Sequence, residues 1–170
     1  GCLPAYMPVV AAAVRAWCHP KANAHGTTAT LAGAAHPIIV NGPVRGELEI
    51  ASRTGCFGPG HRANATIGRA LRLIMRNTCH AIPGFADRAA YSQPARYSFC
   101  FGEDEEGSTW QPLHVERGWP AEASVVTVHS MTDNFVLHDT SSTTPEQLLD
   151  RVASTARSRP LHVDEFVAED

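Results

Sequence analysis

A glycine- and proline-rich loop running without a break into an amphipathic helix constrains this chain most: TGCFGPGHRANATIGRALRLIMRN, Thr54 to Asn77. Ala63, Ile67, Ala70, Leu71 and Ile74 recur at helical spacings and form one apolar stripe over Arg62–Asn77. Such a stripe has to be covered, so the helix belongs against a core. Arg62, Arg69, Arg72 and Arg76 fall on its other sides. Ahead of it, Gly55, Gly58 and Gly60 permit positive φ and a close approach of backbone to ligand. The unpartnered N–H groups of a first helical turn, with the helix dipole, favour negative or strongly polar atoms there. Arg62 adds a planar fork for a carboxylate or phosphate, and Asn64 and Thr66 add side-chain donors. The plainer alternative is a tight loop with Asn64 as helix cap. The spacing matches neither GxGxxG nor GxxxxGK[ST], which disfavours a nucleotide.

Around this junction the pattern is α/β or α+β, a mixed sheet flanked by helices in one compact domain spanning residues 1–170. Pro4 to Trp17 reads as an alanine-rich amphipathic helix that stops before Pro20. Ile38 to Val40 is a short buried strand broken by Asn-Gly-Pro, a setting in which ligands collect beyond the strand ends. ARYSFCFGEDEE alternates like a strand, and SVVTVHS, NFVLHD and LHVDEFV read as further strands. Thr144-Pro145-Glu146-Gln147 opens the last helix, with threonine as cap and proline in the first turn.

An apolar fraction of 44% against 18% charged residues suits a packed globular chain rather than a disordered one. A net charge of -3 offers no broad basic face for nucleic acid, and no apolar run is long enough to span a bilayer. Five widely spaced cysteines without a CxxC fit neither a disulfide framework nor a zinc knuckle, and no secretory signal is visible. The expectation is therefore a soluble, cytoplasmic protein. The abrupt start at Gly1 suggests a fragment or processed subunit, with an amino-terminal region or second subunit as partner and an oligomer as the working form.

Candidate chemistry gathers in two stretches. Beside the helix start, Cys56 can serve as a nucleophile of lowered pKa and His61 as acid or base, although a small inert cysteine is the commoner situation. In GEDEEGSTWQPLHVERG, an extended chain would put His114 and Glu116 on one side, as acid–base pair or as two metal ligands. Spacing supplies no further ligand, so a metal ion is one option and no cofactor is required. The acidic run reads either as a solvated turn or as carboxylates, Glu103, Glu105 or Glu106 among them, pairing with Arg62 or Arg117. His25 is a lone loop histidine, and Trp110 and Trp119 suit a core or an interface.

NAHGTTAT, IIVNGPVRGELEI, FGPGHRANATIGRALRLIMRN, PGFAD and EDEEGSTWQPLHVERGW resemble, in order and spacing, the carboxyl-terminal region of the UGSC family of (seleno)proteins. The resemblance covers about Gly1 to Val128. It implies an amino-terminal region preceding Gly1, and a family pattern that includes His25, Asn41, Arg62, Asn64, Thr66, Glu103, Glu106, His114, Glu116 and Arg117. The family's name-giving motif implies thiol or selenol redox chemistry. No CGSC occurs in this chain, and Cys56 and Thr78-Cys79-His80 depart from the pattern.

Three functions follow as expectations. The first is an enzyme or enzyme subunit of lyase, hydratase or hydrolase type. A small anionic or polar substrate would be held by Asn41, Gly60, Arg62, Asn64, Thr66, Glu103, Glu106, Arg117 and His25, while His114 or His61 moves protons with help from Glu116. The second is a thiol redox component using Cys56 with Cys79 or Cys100. The third is a noncatalytic assembly subunit that presents Pro4–Trp17 as an interface helix.

Overall fold

The structure, a computed structural model, describes residues 1–158. Read from its sequence as one domain, the chain divides into two compact units, Gly1–Asp133 and a second beginning at Asn134. In the first unit, a 3-10 turn at Pro4–Tyr6 leads into α1, Met7–Trp17, in which Pro8 occupies the first turn and displaces no helical bond. After the short α2, Ala24–Thr28, come β1, Ile38–Asn41, and the single-turn α3, Val44–Glu47. The long α4, Arg62–Thr78, precedes β2, Cys100–Gly102. α5, Leu113–Glu116, and β3, Val125–Val128, complete the unit.

The sheet is mixed, as its sequence suggests, with order β2-β1-β3: β1 runs parallel to β2 and antiparallel to β3. Register puts Ile38 opposite both Cys100 and Val128, and Val40 opposite Gly102 and Val126. These residues share one face, and α1 and α4 cover it with Val9, Val10, Ala13, Trp17, Ala63, Ile67, Leu71 and Met75. Gly68 lets α4 sit close on β2, because a Cβ there would come within 2.5 Å of the Phe99 nitrogen. The opposite face carries Ile39 and Phe101, with Phe57, Phe99 and Phe101 in mutual ring contact and Phe57 largely exposed.

Three expectations change here. PLHVERG is not extended: Pro112 precedes a helical turn, and Glu116 N donates to Pro112 O at 3.0 Å. NFVLHD forms no strand among the described residues, and its Val136 is exposed. Arg72 does not decorate the surface but ion-pairs with buried Asp87 of the Pro-Gly loop. The expected strand LHVDEFV lies outside the described residues.

In the second unit, α6, Pro145–Arg157, begins as its sequence indicates: Thr144 Oγ1 accepts from Gln147 N at 3.3 Å. The Gln147 side chain reaches back to Thr143 N at 2.8 Å, one residue before the cap. Ahead of it, Asp139 accepts from Ser142 and Ser141, which holds its carboxyl below the usual range.

Candidate functional site

Parallel β1 and β2 end side by side, and the chain turns away at both ends. β1 stops at Asn41 because Gly42 takes φ +82 and Pro43 cannot continue a ladder. A Cβ at 42 would collide with the Ala123 carbonyl, so glycine is required there. β2 stops at Gly102, and the acidic run follows immediately. Carboxylates and a buried amide therefore meet at the carboxyl end of the sheet.

Asn41 is fully buried, and its Nδ2 donates to Glu103 Oε2 at 2.5 Å and Glu105 Oε1 at 2.9 Å. Gly42 N adds a second donor to Glu105 Oε1 at 2.8 Å, and Leu113 N donates to Glu103 Oε2 at 2.9 Å. Arg45, brought in by α3, bridges the run: it meets Glu105 at 2.9 Å, Glu106 at 2.7 Å and the Glu103 carbonyl at 2.6 Å. Its side chain is only 10% exposed, so these contacts are screened less than a surface pair. The Arg45 hydrogen bond draws the Glu106 carboxyl down to about 2, and Glu106 in return raises the guanidinium. Arg53 holds Asp104 at 2.7 Å on the outer side. The acids pair with Arg45 and Arg53, not with Arg62 or Arg117 as the sequence reading has it.

His114 stands behind this array, 1% exposed. Its Nε2 is 3.3 Å from Ala121 O. A carbonyl only accepts, so Nε2 carries the hydrogen and the neutral ring presents the Nδ1 lone pair. That Nδ1 is buried without a hydrogen-bond partner and faces Glu105 Oε1 at 4.0 Å. That separation is beyond hydrogen-bond reach, and Glu105 Oε1 already accepts from Asn41 Nδ2 and Gly42 N. Glu116 belongs to no such pair. Two residues along a helix the side chains point to different sides, so His114 goes inward and Glu116 is exposed. The shared acid–base or metal role is corrected accordingly. Among the described residues, no group of three or more His, Cys, Asp or Glu side chains is arranged to hold a metal ion.

In front of the array lies an open cleft of about 850 Å3. Arg45, Glu105 and Glu106 form one wall; Ser52, Arg53, Thr54 and His61 belong to the loop side. His61 Nε2 is 3.1 Å from Thr54 O, which by the same reasoning leaves Nδ1 as an unprotonated acceptor in the neutral ring. The loop keeps its shape through Asn64. This buried side chain accepts from Ala51 N at 2.9 Å and donates to Ala51 O and Cys56 O at 2.9 and 3.0 Å.

The helix start is therefore arranged differently from expectation. Asn64 has its polar atoms bound to the loop and is a positioning residue. Thr66 bonds back to Arg62 O at 2.8 Å, and exposed Arg62 donates to Gly1 O at 3.1 Å. Neither lines the cleft. Gly55 alone of the three loop glycines has positive φ, and no protein atom lies within 4 Å of a Cβ added at Gly60. His25 is exposed on α2 and Arg117 is exposed after α5, both away from the cleft lining. Trp110 and Trp119 are exposed rather than in the core.

Of the expected site residues, the structure brings together Asn41, Glu103, Glu105, Glu106 and His114, with His61 across the cleft. Arg45 and Arg53 are the additions. Their only sequence signal was one of complementarity, cations in the segments that flank the Asn-Gly turn and the loop, set against an otherwise uncompensated acidic run.

The cysteines are all free. Cys56 and Cys79 flank opposite ends of the 17-residue α4, a separation of about 25 Å along the axis, far beyond disulfide reach. Burial pushes the Cys100 thiol up to about 12. No helix among the described residues is long and apolar enough to cross a membrane. Comparison with protein-family models, curated proteins and solved structures finds no match to this chain.

Proposed function

We propose that the chain is an enzyme, or the substrate-binding part of one, acting on a small polar or anionic organic molecule by acid–base chemistry of the lyase, hydratase or hydrolase type. One observation carries this reading: an open cleft at the carboxyl ends of two parallel strands has His61 on its loop wall and Arg45, Glu105 and Glu106 on the other, with Asn41 and His114 buried behind Glu105. Arg53, Ser52 and Thr54 supply donors for a carboxylate or amide. His61 Nδ1 takes a proton from the substrate or from water, and Glu105 faces it from the other wall. Asn41, Gly42 N and Arg45 keep Glu105 in place, so charge developing in the cleft meets fixed dipoles. The resemblance to the UGSC family places Asn41, Glu103, Glu106 and His114 in one sequence pattern and adds no reaction.

Thiol exchange has less support, since Cys56 and Cys79 stand at opposite ends of α4 and Cys100 is buried in the core. The test is turnover of a panel of small hydroxy acids, unsaturated acids and amides, by the wild type and by His61→Ala and Glu105→Gln. The expected result is loss of about a hundredfold or more in kcat for each, with native circular dichroism. Full activity in both variants would remove this mechanism.

A further inference from the structure

The charged groups on the cleft walls divide into those already engaged and those left over. All three Arg45 nitrogens are engaged. Nε meets Gly42 O at 3.3 Å, Nη1 meets Glu103 O and Glu106 Oε2 at 2.6 and 3.2 Å, and Nη2 meets Glu106 Oε1 and Glu105 Oε2 at 2.7 and 2.9 Å. With Asn41 Nδ2 and Gly42 N, these contacts also occupy the Glu105 and Glu106 carboxylates. Arg53 gives only its Nε, to Asp104, and its two Nη groups have no partner among the described residues. Glu49 also lines the cleft, and its carboxylate has no hydrogen bond or ion pair among those residues. An unused cationic group and an unused anion therefore border the same space.

Glu49 stands where its backbone favours glycine. α3 ends in a doubly bonded turn, with Glu49 N donating to Gly46 O at 3.3 Å and Ile50 N to Arg45 O at 2.8 Å, and Glu49 takes φ +54. Glycine is the usual occupant of that position because a Cβ is strained there. A glutamate carries a conformational cost at this turn and returns no side-chain contact within the described residues. Charge points the same way. Glu49, Asp104, Glu105 and Glu106 at the cleft, with Glu103 behind them, face only the guanidiniums of Arg45 and Arg53. His61 counts as a cation only when protonated, and Arg62 bonds Gly1 O away from the lining. A purely anionic ligand would enter an already negative space, whereas one that also carries a cation would be balanced there.

We propose that the ligand of the cleft is a small amino carboxylate, a zwitterion whose carboxylate meets the Arg53 Nη groups and whose ammonium meets Glu49. The inference rests on the cleft being the substrate site; it narrows the substrate class and makes Glu49 a specificity-determining residue. A space of about 850 Å3 is ample for such a molecule.

Titration of the unmodified chain at low ionic strength, followed by amide NMR shifts at Ser52, Arg53 and Thr54, tests it. The probes are glycine, 3-aminopropanoate, 4-aminobutanoate and 6-aminohexanoate, which vary the charge separation, each set against the carboxylate that lacks the amine. At least one amino carboxylate is expected to bind about fivefold or more tighter than its counterpart, a preference that shrinks with added salt. Glu49→Gln should remove the preference and leave carboxylate binding intact. Glu49→Gly should remove it as well, with a thermal midpoint unchanged or higher, since glycine suits the turn. Equal binding with and without the amine, or a preference that survives Glu49→Gln, would overturn this proposal and leave the cleft reading standing. Absence of binding by both classes of probe would remove the two together.

Discussion

His114 Nδ1 and Glu105 Oε1 lie 4.0 Å apart in a buried setting, and the ring's other nitrogen is committed to the Ala121 carbonyl. The two atoms are neighbours without a hydrogen bond between them, and the Ala121 carbonyl holds the ring from behind. Glu105 is held in turn by Asn41, Gly42 N and Arg45, so a change at any of these moves the pair.

Asn41 supplies both of its amide hydrogens to carboxylates. Asn41→Leu should cost about 2–4 kcal/mol in denaturant unfolding, since Glu103 and Glu105 lose a buried donor. Asn41→Asp should cost more at neutral pH, by placing a third carboxylate among them, and should recover part of the loss at acid pH. Equal stability of the two variants across pH would contradict this account.

Asn64 gives a different kind of loss. Asn64→Ala removes three hydrogen bonds to the Ala51–Cys56 loop and should destabilise by about 2–3 kcal/mol. Limited proteolysis should then cut between Ser52 and Gly60, where the unmodified chain resists.

His36 makes stability depend on pH. Its folded pKa, about 4, lies below the unfolded value of 6.5, so the unfolded chain binds more protons between the two. The stabilisation is complete above pH 6.5 and is lost as pH falls toward 4, by on the order of 3 kcal/mol. Unfolding at a series of pH values should show this slope, and His36→Gln should flatten it.

Gly68 sits where α4 touches β2. Gly68→Ala should destabilise by about 1–3 kcal/mol, because the new methyl group meets the Phe99 backbone and Ser98 Oγ. Denaturant midpoints measure it directly; a neutral or stabilising result would mean that the helix is not seated this closely.

Alkylation separates the thiols. Cys2, Cys18 and Cys79 are exposed and should react at once, Cys56 more slowly, and Cys100 only on unfolding, because burial pushes its thiol up to about 12.

Legibility in the sequence followed the range of the interactions. α4 and α6 were readable because periodicity and capping are local, and β1 because Ile38–Val40 is bounded by Asn-Gly-Pro. α5 was not, since a single turn after Pro112 is too short to show a period, and that one turn reversed the relation between His114 and Glu116. Asn41, Glu103 and Glu106 were expected as substrate-binding residues, Asn41 through the family resemblance alone; the structure gathers them near the strand end around a cation that was not expected. Arg45 is 58 residues from Glu103 along the chain, and only the parallel pairing of β1 with β2 brings them together. Arg62 and Asn64 carried the right residue types for a ligand. Their geometry gives one to the Gly1 carbonyl and the other to the loop.

The central claim is that ligand binds in the cleft bounded by Arg45, Glu105 and His61. The most direct measurement is backbone and imidazole NMR mapping of the uniformly labelled chain during titration with a small carboxylate or amide that the turnover panel selects. Saturable shifts at Gly42, Ser52, Arg53, Thr54 and the His61 ring are the predicted result. Saturable shifts confined to residues outside that set, for instance around Phe57, Phe99 and Phe101 with His61 unmoved, would contradict it.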